Sequence, residues 1–195
     1  MGSAQLVISL RTYLILLAAL AVERLYELTI ARRNARAGIA RGAIEVGGGH
    51  YGVMVALHVL FLVSCALEAV TLAALPRPFV QWSALSAALL AQALRYWAIS
   101  TLGDRWNTRI IVLPDSSPVT RGPYRFIRHP NYVAVVIEMF VVPAIAGCWF
   151  TAMGFSIANA ILLAVRIRTE ERALGETYAR AFSARPRFIP GVRGA

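Results

Sequence analysis

The stretch GPYRFIRHPNY, Gly122 to Tyr132, sets Arg125, Arg128, His129 and two prolines between long apolar runs. Pro123 and Pro130 are incompatible with a helix interior, and Pro130 suits the first turn of a helix entered from extended chain. The block therefore stands at the mouth of an apolar helix, where unpaired backbone N–H groups favour a carboxylate or another acceptor. Glu138 follows about two turns beyond His129 and is placed to line a reaction site there. Further on, RIRTEERAL sets Arg166 and Glu170 four residues apart, on one helical face just past another apolar run. Taken alone, that pair also reads as a basic membrane anchor with a surface salt bridge.

Other ionisable groups fall inside apolar runs: Glu23, Arg24, Glu27, His58, Glu68 and Arg95. A charge at a bilayer centre costs at least about 2.5–3.5 kcal/mol, so these side chains should face a bundle interior, a cavity or one another. Glu23 and Glu27 share a face and are expected to pair with Arg24 or Arg95. They and Glu68 read as interhelical pairing groups. The glycines of EVGGGHYGVMVALH, Glu45 to His58, lack the preceding strand and following Lys-Ser/Thr of a phosphate cradle, so they read as a flexible lead into a helix. His50 and His58, eight apart, are too distant for one metal site, and no metal is expected. Cys65 and Cys148 offer no disulfide framework and read as buried apolar residues.

The elements that must carry these groups are membrane helices. Of 195 residues, 58% are hydrophobic and mean hydropathy is +0.60, which excludes an ordinary soluble domain. Five spans are expected: Thr12 to Ile30, Tyr51 to Leu75, Phe79 to Leu102, Tyr132 to Ala146, and Trp149 to Val165, the last two forming a hairpin about Gly147 and Cys148. Arginines in the connections alternate. The first holds Arg32, Arg33, Arg36 and Arg41; the second only Arg77; the third Arg105, Arg109, Arg121, Arg125 and Arg128; the hairpin tip none; the tail seven, from Arg166 to Arg193. That alternation puts the N-terminus outside and the third link and tail in the cytoplasm. A cleaved signal peptide, with Arg11 before an apolar run and Ala19-Leu20-Ala21, is the rival reading of the first span. The net charge of +10 and pI near 10.8 come wholly from arginine. Because these arginines flank apolar runs, they fit membrane topology and not nucleic acid. The chain reads as one all-α membrane domain, 1–195, with three spans in 1–102 and a catalytic half in 103–195.

TRGPYRFIRHPNY, an apolar hairpin, RIRTEE and a tail ending RPRFIPG together resemble the isoprenylcysteine carboxyl methyltransferase family, integral membrane enzymes that use S-adenosylmethionine. The likeness covers about Leu102 to Gly191. It implies a cytoplasmic cofactor pocket built from the loop before the fourth helix and from the C-terminal helix. It also implies that Ser116, Ser117, Pro118, Val119, Tyr124, His129, Pro130, Asn131 and Tyr132 line the cofactor. By the same resemblance Glu170 binds the cofactor and Arg166 faces the substrate. A carboxylate can accept from the cofactor's ammonium or ribose hydroxyls, and an Arg fork suits an anionic oxygen. The segment from Leu174 to Tyr178 is shorter than in eukaryotic members, which leaves the edge of the C-terminal helix open. No strand, glycine-rich turn and helix with a following acidic residue is visible, so a Rossmann-type cofactor domain is not expected.

RLYELTIARRNAR and GAIEVGGGHYGVMVALH resemble a bacterial subgroup linked with type III polyketide synthases. The resemblance implies O-methylation of an alkylpyrone or alkylresorcinol in a bacterial cytoplasmic membrane, with membrane lipids around the protein. A pyrone enol is already anionic near neutral pH. A phenol, with a pKa of about 10, wants a base, for which Glu138, Glu45 and His58 are candidates. Carboxyl methylation of an isoprenylated cysteine is the alternative within the family. A transporter or scaffold that binds no cofactor, and a membrane reductase of related C-terminal fold, are the alternatives outside it.

Overall fold

The computed structural model describes residues 7–72, 74–114 and 116–188; Arg193 and the end of the RPRFIPG motif lie outside the described residues. Five helices carry the chain: α1 (Leu10–Ala40), α2 (Tyr51–Thr71), α3 (Pro78–Leu102), α4 (Pro130–Ala144) and α5 (Trp149–Ala181). A short antiparallel ribbon joins the links between them. β1 (Ile44–Val46) pairs with β2 (Ile110–Val112), Ile44 opposite Val112. A strand thus does precede the glycine run, contrary to the sequence reading. It is only three residues long and carries no periodicity to detect.

Local chemistry sets the helix ends. Ser9 caps α1 by accepting from the Thr12 amide. Pro78 and Pro130 occupy the first turns of α3 and α4, where a missing N–H costs nothing. The first turn of α5 has no cap from its own chain segment. Glu68 of α2 supplies one instead, accepting from the Phe150 and Thr151 amides at 3.1 and 2.7 Å and from the Thr151 hydroxyl at 2.6 Å. The α4–α5 turn passes through Gly147 at φ 79°, where a Cβ would lie 2.5 Å from the Ala74 carbonyl oxygen. Only glycine fits that approach.

The helices pack around Tyr13, Leu17, Phe61, Cys65, Met139 and Ile145, all buried. Outside that core, Leu60, Val63 and Leu67 of α2 and Phe150, Ile157 and Ile161 of α5 stand exposed. Apolar surface of that extent marks a lipid-facing belt. Among the described residues two helices are long and apolar enough to cross a membrane: α2 with its leading turn (Gly48–Thr71, mean hydropathy 2.3) and α5 (1.7). Helix α4 is apolar but only 15 residues long. The expected first span carries Glu23, Arg24 and Glu27, and the third carries two glutamines and Arg95 within it.

Helix ends differ from the expected spans. Helix α4 begins two residues earlier, at Pro130, and α5 continues past Val165 to Ala181. Gly175 breaks α5 with φ 68° and ψ −163°, a conformation that suits glycine. The last helical turns then swing Tyr178 and Phe182 against Tyr124 and Ala98. That kink fixes the edge of the C-terminal helix, which the sequence left open.

Candidate functional site

A cavity of about 1020 Å³ runs from the polar block into the helices. Its lining includes Ser116, Ser117, Pro118, Val119, Tyr124, His129, Asn131, Tyr132, Arg166 and Glu170, together with His58, Asn159 and apolar side chains. Most of the candidate residues named from sequence therefore line one cavity. Pro130 is buried in the first turn of α4 and is not among the lining residues. Glu138 is not among them either. The cavity is not confined to the loop and C-terminal helix, since Arg24 and Glu27 of α1 and Met54 and Val55 of α2 line it too.

At its centre Arg166 and Glu170 lie one turn apart on α5, as their spacing requires. The Arg166 Nε donates to the Tyr132 hydroxyl at 2.9 Å, and a terminal nitrogen donates to the Thr108 carbonyl at 2.5 Å. The Tyr132 hydroxyl in turn donates to Glu170 at 2.5 Å. One phenol thus spaces a guanidinium from a carboxylate. Arg166 is buried, yet among the described residues it forms no ion pair. Glu170 likewise has no cationic partner among them and sits close to Tyr124 and Tyr178. Burial and then the Glu170 charge push both of these phenols up, so they stay neutral donors. Asn131 adds a buried Oδ1 with no partner. An unneutralised carboxylate and an orphaned acceptor lining one cavity suit a ligand that brings an ammonium group and hydroxyls, which is the donor set of S-adenosylmethionine.

The loop and tail hold this wall in place. Ser116 Oγ donates to the Leu113 carbonyl at 2.8 Å, and Arg105 donates to the Ser117 carbonyl at 2.6 Å. His129 stacks on Tyr132, ring centroids 5.3 Å apart, and its Nε2 bonds Glu171 at 3.1 Å. Arg187 of the tail also donates to Glu171, at 3.0 and 2.7 Å. His129 and then Arg187 hold the Glu171 carboxyl at about 2, below the usual carboxylate range. The Arg128 and His129 amides donate to the Pro186 and Arg187 carbonyls, so the tail straps across the block.

The remaining base candidates separate. Glu138 is tied to Arg95 and contacts Arg24 at 3.4 Å. Glu45 pairs with Arg109 at the surface. His58 Nδ1 donates to the Met54 carbonyl of its own helix at 2.8 Å, which leaves Nε2 as the basic nitrogen of a cavity-lining ring. Glu27 takes Arg24 at 2.6 Å and Arg95 at 3.8 Å, while Glu23 accepts from Gln92 and Tyr96. Thr108 and Asn159 were not singled out from the sequence. Thr108 acts through its backbone, which leaves no trace in residue type. Asn159 is a single amide in the apolar run SIANAILL, seven residues before Arg166, and that isolation is a readable signal.

Residues 84–176, which include Tyr132, Arg166 and Glu170, match the model of the isoprenylcysteine carboxyl methyltransferase family. The chain is 40% identical over 163 residues to YpbQ, an uncharacterized protein of Bacillus subtilis (strain 168), covering 83% of this chain and 96% of that protein. It is 28% identical over 159 residues to an uncharacterized protein of Haemophilus influenzae, covering 81% of this chain and 92% of that one.

Proposed function

The chain belongs to the isoprenylcysteine carboxyl methyltransferase family and is a membrane methyltransferase; from that premise we propose that it methylates an oxygen of a polyketide-derived alkylpyrone or alkylresorcinol, with S-adenosylmethionine as donor. The observation that carries this is the Arg166–Tyr132–Glu170 arrangement on one cavity wall. It places a buried cation and a carboxylate, neither with an ion-pair partner among the described residues, one helical turn apart.

Glu170 and Asn131 would hold the cofactor, with Tyr124 and His129 forming the wall beside it. When bound, S-adenosylmethionine supplies a methyl group activated on a sulfonium. Arg166 holds the nucleophilic oxygen and favours its anionic form, because a buried guanidinium in low dielectric attracts charge strongly. Tyr132 fixes the guanidinium and the carboxylate relative to one another, and such fixed geometry can supply several kcal/mol of the barrier reduction. For a pyrone enol no base is needed. For a phenol, His58 Nε2 takes the proton, since Glu138 and Glu45 are each engaged by an arginine. The apolar inner cavity takes the lipid tail and the polar mouth admits the cofactor. In this reading the five helices are five spans with the N-terminus outside, and the mouth opens to the cytoplasm of a bacterium.

The test is incubation of the detergent-purified protein with methyl-labelled S-adenosylmethionine and three acceptors: an alkylpyrone, an alkylresorcinol and a farnesylated cysteine. Label on the pyrone or resorcinol is expected. Label on the cysteine carboxylate alone would replace the polyketide reading with carboxyl methylation.

A further inference from the structure

Asn159 is 1% exposed, and neither its Nδ2 nor its Oδ1 has a hydrogen-bond partner among the described residues. It lines the same cavity as Arg166. A buried amide with both ends unmet is costly, so a residue of this kind in an apolar helix needs a partner from outside the chain. Its depth can be read from the helices. Tyr132 touches Arg166 across the α4–α5 hairpin, and seven residues inward on each helix lie Met139 and Asn159. Asn159 is therefore level with Glu138 and the ion cluster around it. One member of that cluster, Glu27, also lines the cavity and leaves its Oε1 buried without a partner.

Building on the O-methyltransfer reading, we propose that Asn159 binds a second oxygen of the lipid's head group, on the ring carrying the oxygen that Arg166 holds for reaction. Seven residues of helix separate the two Cα atoms by about 10 Å. Two hydrogen bonds of about 3 Å each and one oxygenated ring fill that span. The amide suits either substrate form: Nδ2 donates to a ring carbonyl, and Oδ1 accepts from a ring hydroxyl. A site built to bond such an oxygen rejects an analogue that lacks it, because the amide is then left buried and unmet. The second oxygen thus selects a doubly oxygenated ring over a simple lipid alcohol, phenol or acid.

The experiment compares a 5-alkylresorcinol with the 3-alkylphenol of equal chain length. Affinity is read calorimetrically in detergent and methyl transfer with labelled S-adenosylmethionine, for the native chain and for Asn159→Leu and Asn159→Ala. The native chain is expected to favour the resorcinol by about tenfold or more in affinity, the worth of one buried hydrogen bond. Both variants should lose that preference, to within about threefold, and still bind S-adenosylmethionine. A selective native chain whose variants lose selectivity, but which transfers no methyl to either lipid, would uphold Asn159 and overturn the transfer reading. Equal binding of the two lipids by the native chain, or a preference that survives in a folded variant, would overturn the inference. Failure of both variants to fold would make Asn159 a structural residue and overturn it as well.

Discussion

Arg95 closes on Glu138 with both arms of its fork, Nε to Oε1 at 3.1 Å and a terminal nitrogen to Oε2 at 2.5 Å, joining α3 to α4. Side-chain exposures of 6% and 12% show that both charges are sheltered. Such a pair is weak evidence of net stabilisation, but removing Glu138 leaves the buried Arg95 to the longer 3.8 Å contact with Glu27. Glu138→Leu should therefore destabilise the protein by about 3–5 kcal/mol, and adding Arg95→Met should recover most of that loss. Thermal unfolding in detergent checks both variants. A Glu138→Leu protein of native stability but without activity would instead make Glu138 the base.

Arg166 and Glu170 share Tyr132 and divide the work. Glu170→Ala should abolish S-adenosylmethionine binding, since Glu170 is a cavity-lining carboxylate without, among the described residues, the arginine partner that Glu27 and Asp104 each have. Arg166→Met should leave the cofactor Kd within about threefold and lower kcat by about a hundredfold or more, the usual cost of removing a preorganised charge at the reacting oxygen. Tyr132→Phe removes the spacer from both and should weaken binding and turnover together. Calorimetric cofactor titration beside single-turnover transfer separates the three. Normal cofactor binding by Glu170→Ala would move the cofactor site elsewhere in the cavity.

Much of this arrangement was legible before the structure, for physical reasons. The Arg166–Glu170 spacing is a helix-face signal, and Pro130 marks a helix start wherever it occurs after extended chain. The end of α5 was not legible, because hydropathy reports the edge of the membrane and not of the helix. The charged RIRTEERAL simply continues the same helix until Gly175 breaks it. The β1–β2 ribbon escaped because each strand has three residues and they lie far apart in sequence. Glu68 was recognised as an interhelical group, but its partners are mainly backbone N–H groups, which residue types do not announce.

That capping role makes its own prediction. Among the described residues, Glu68 is the sole side chain on the first amides of α5, and it satisfies them from another helix. Glu68→Leu leaves two amides and the Thr151 hydroxyl without that acceptor, and it should cost about 1–3 kcal/mol. Glu68 is not among the cavity-lining residues, so the cofactor Kd should stay unchanged. Thermal unfolding and calorimetry on the same sample test this. A large change in cofactor affinity at native stability would contradict a purely structural role.

Glu171 should make the tail strap sensitive to acid. Its folded pKa, about 2, lies below the ordinary 4.5, with the His129 hydrogen bond as the first cause and Arg187 as the next. A depressed carboxyl stabilises the folded state fully above its unfolded pKa and loses that contribution as pH falls through the folded one. The stabilisation should thus be constant above about pH 5 and fade toward pH 2. Glu171→Gln removes the charge, so its melting temperature should lie below native at neutral pH and converge with native toward pH 2. Arg187→Leu should show the same trend more weakly, because Arg187 is 43% exposed and screened by solvent. Melting curves of all three proteins from pH 2 to 7 decide it, and a gap that stays constant across the range would exclude Glu171 as the titrating group.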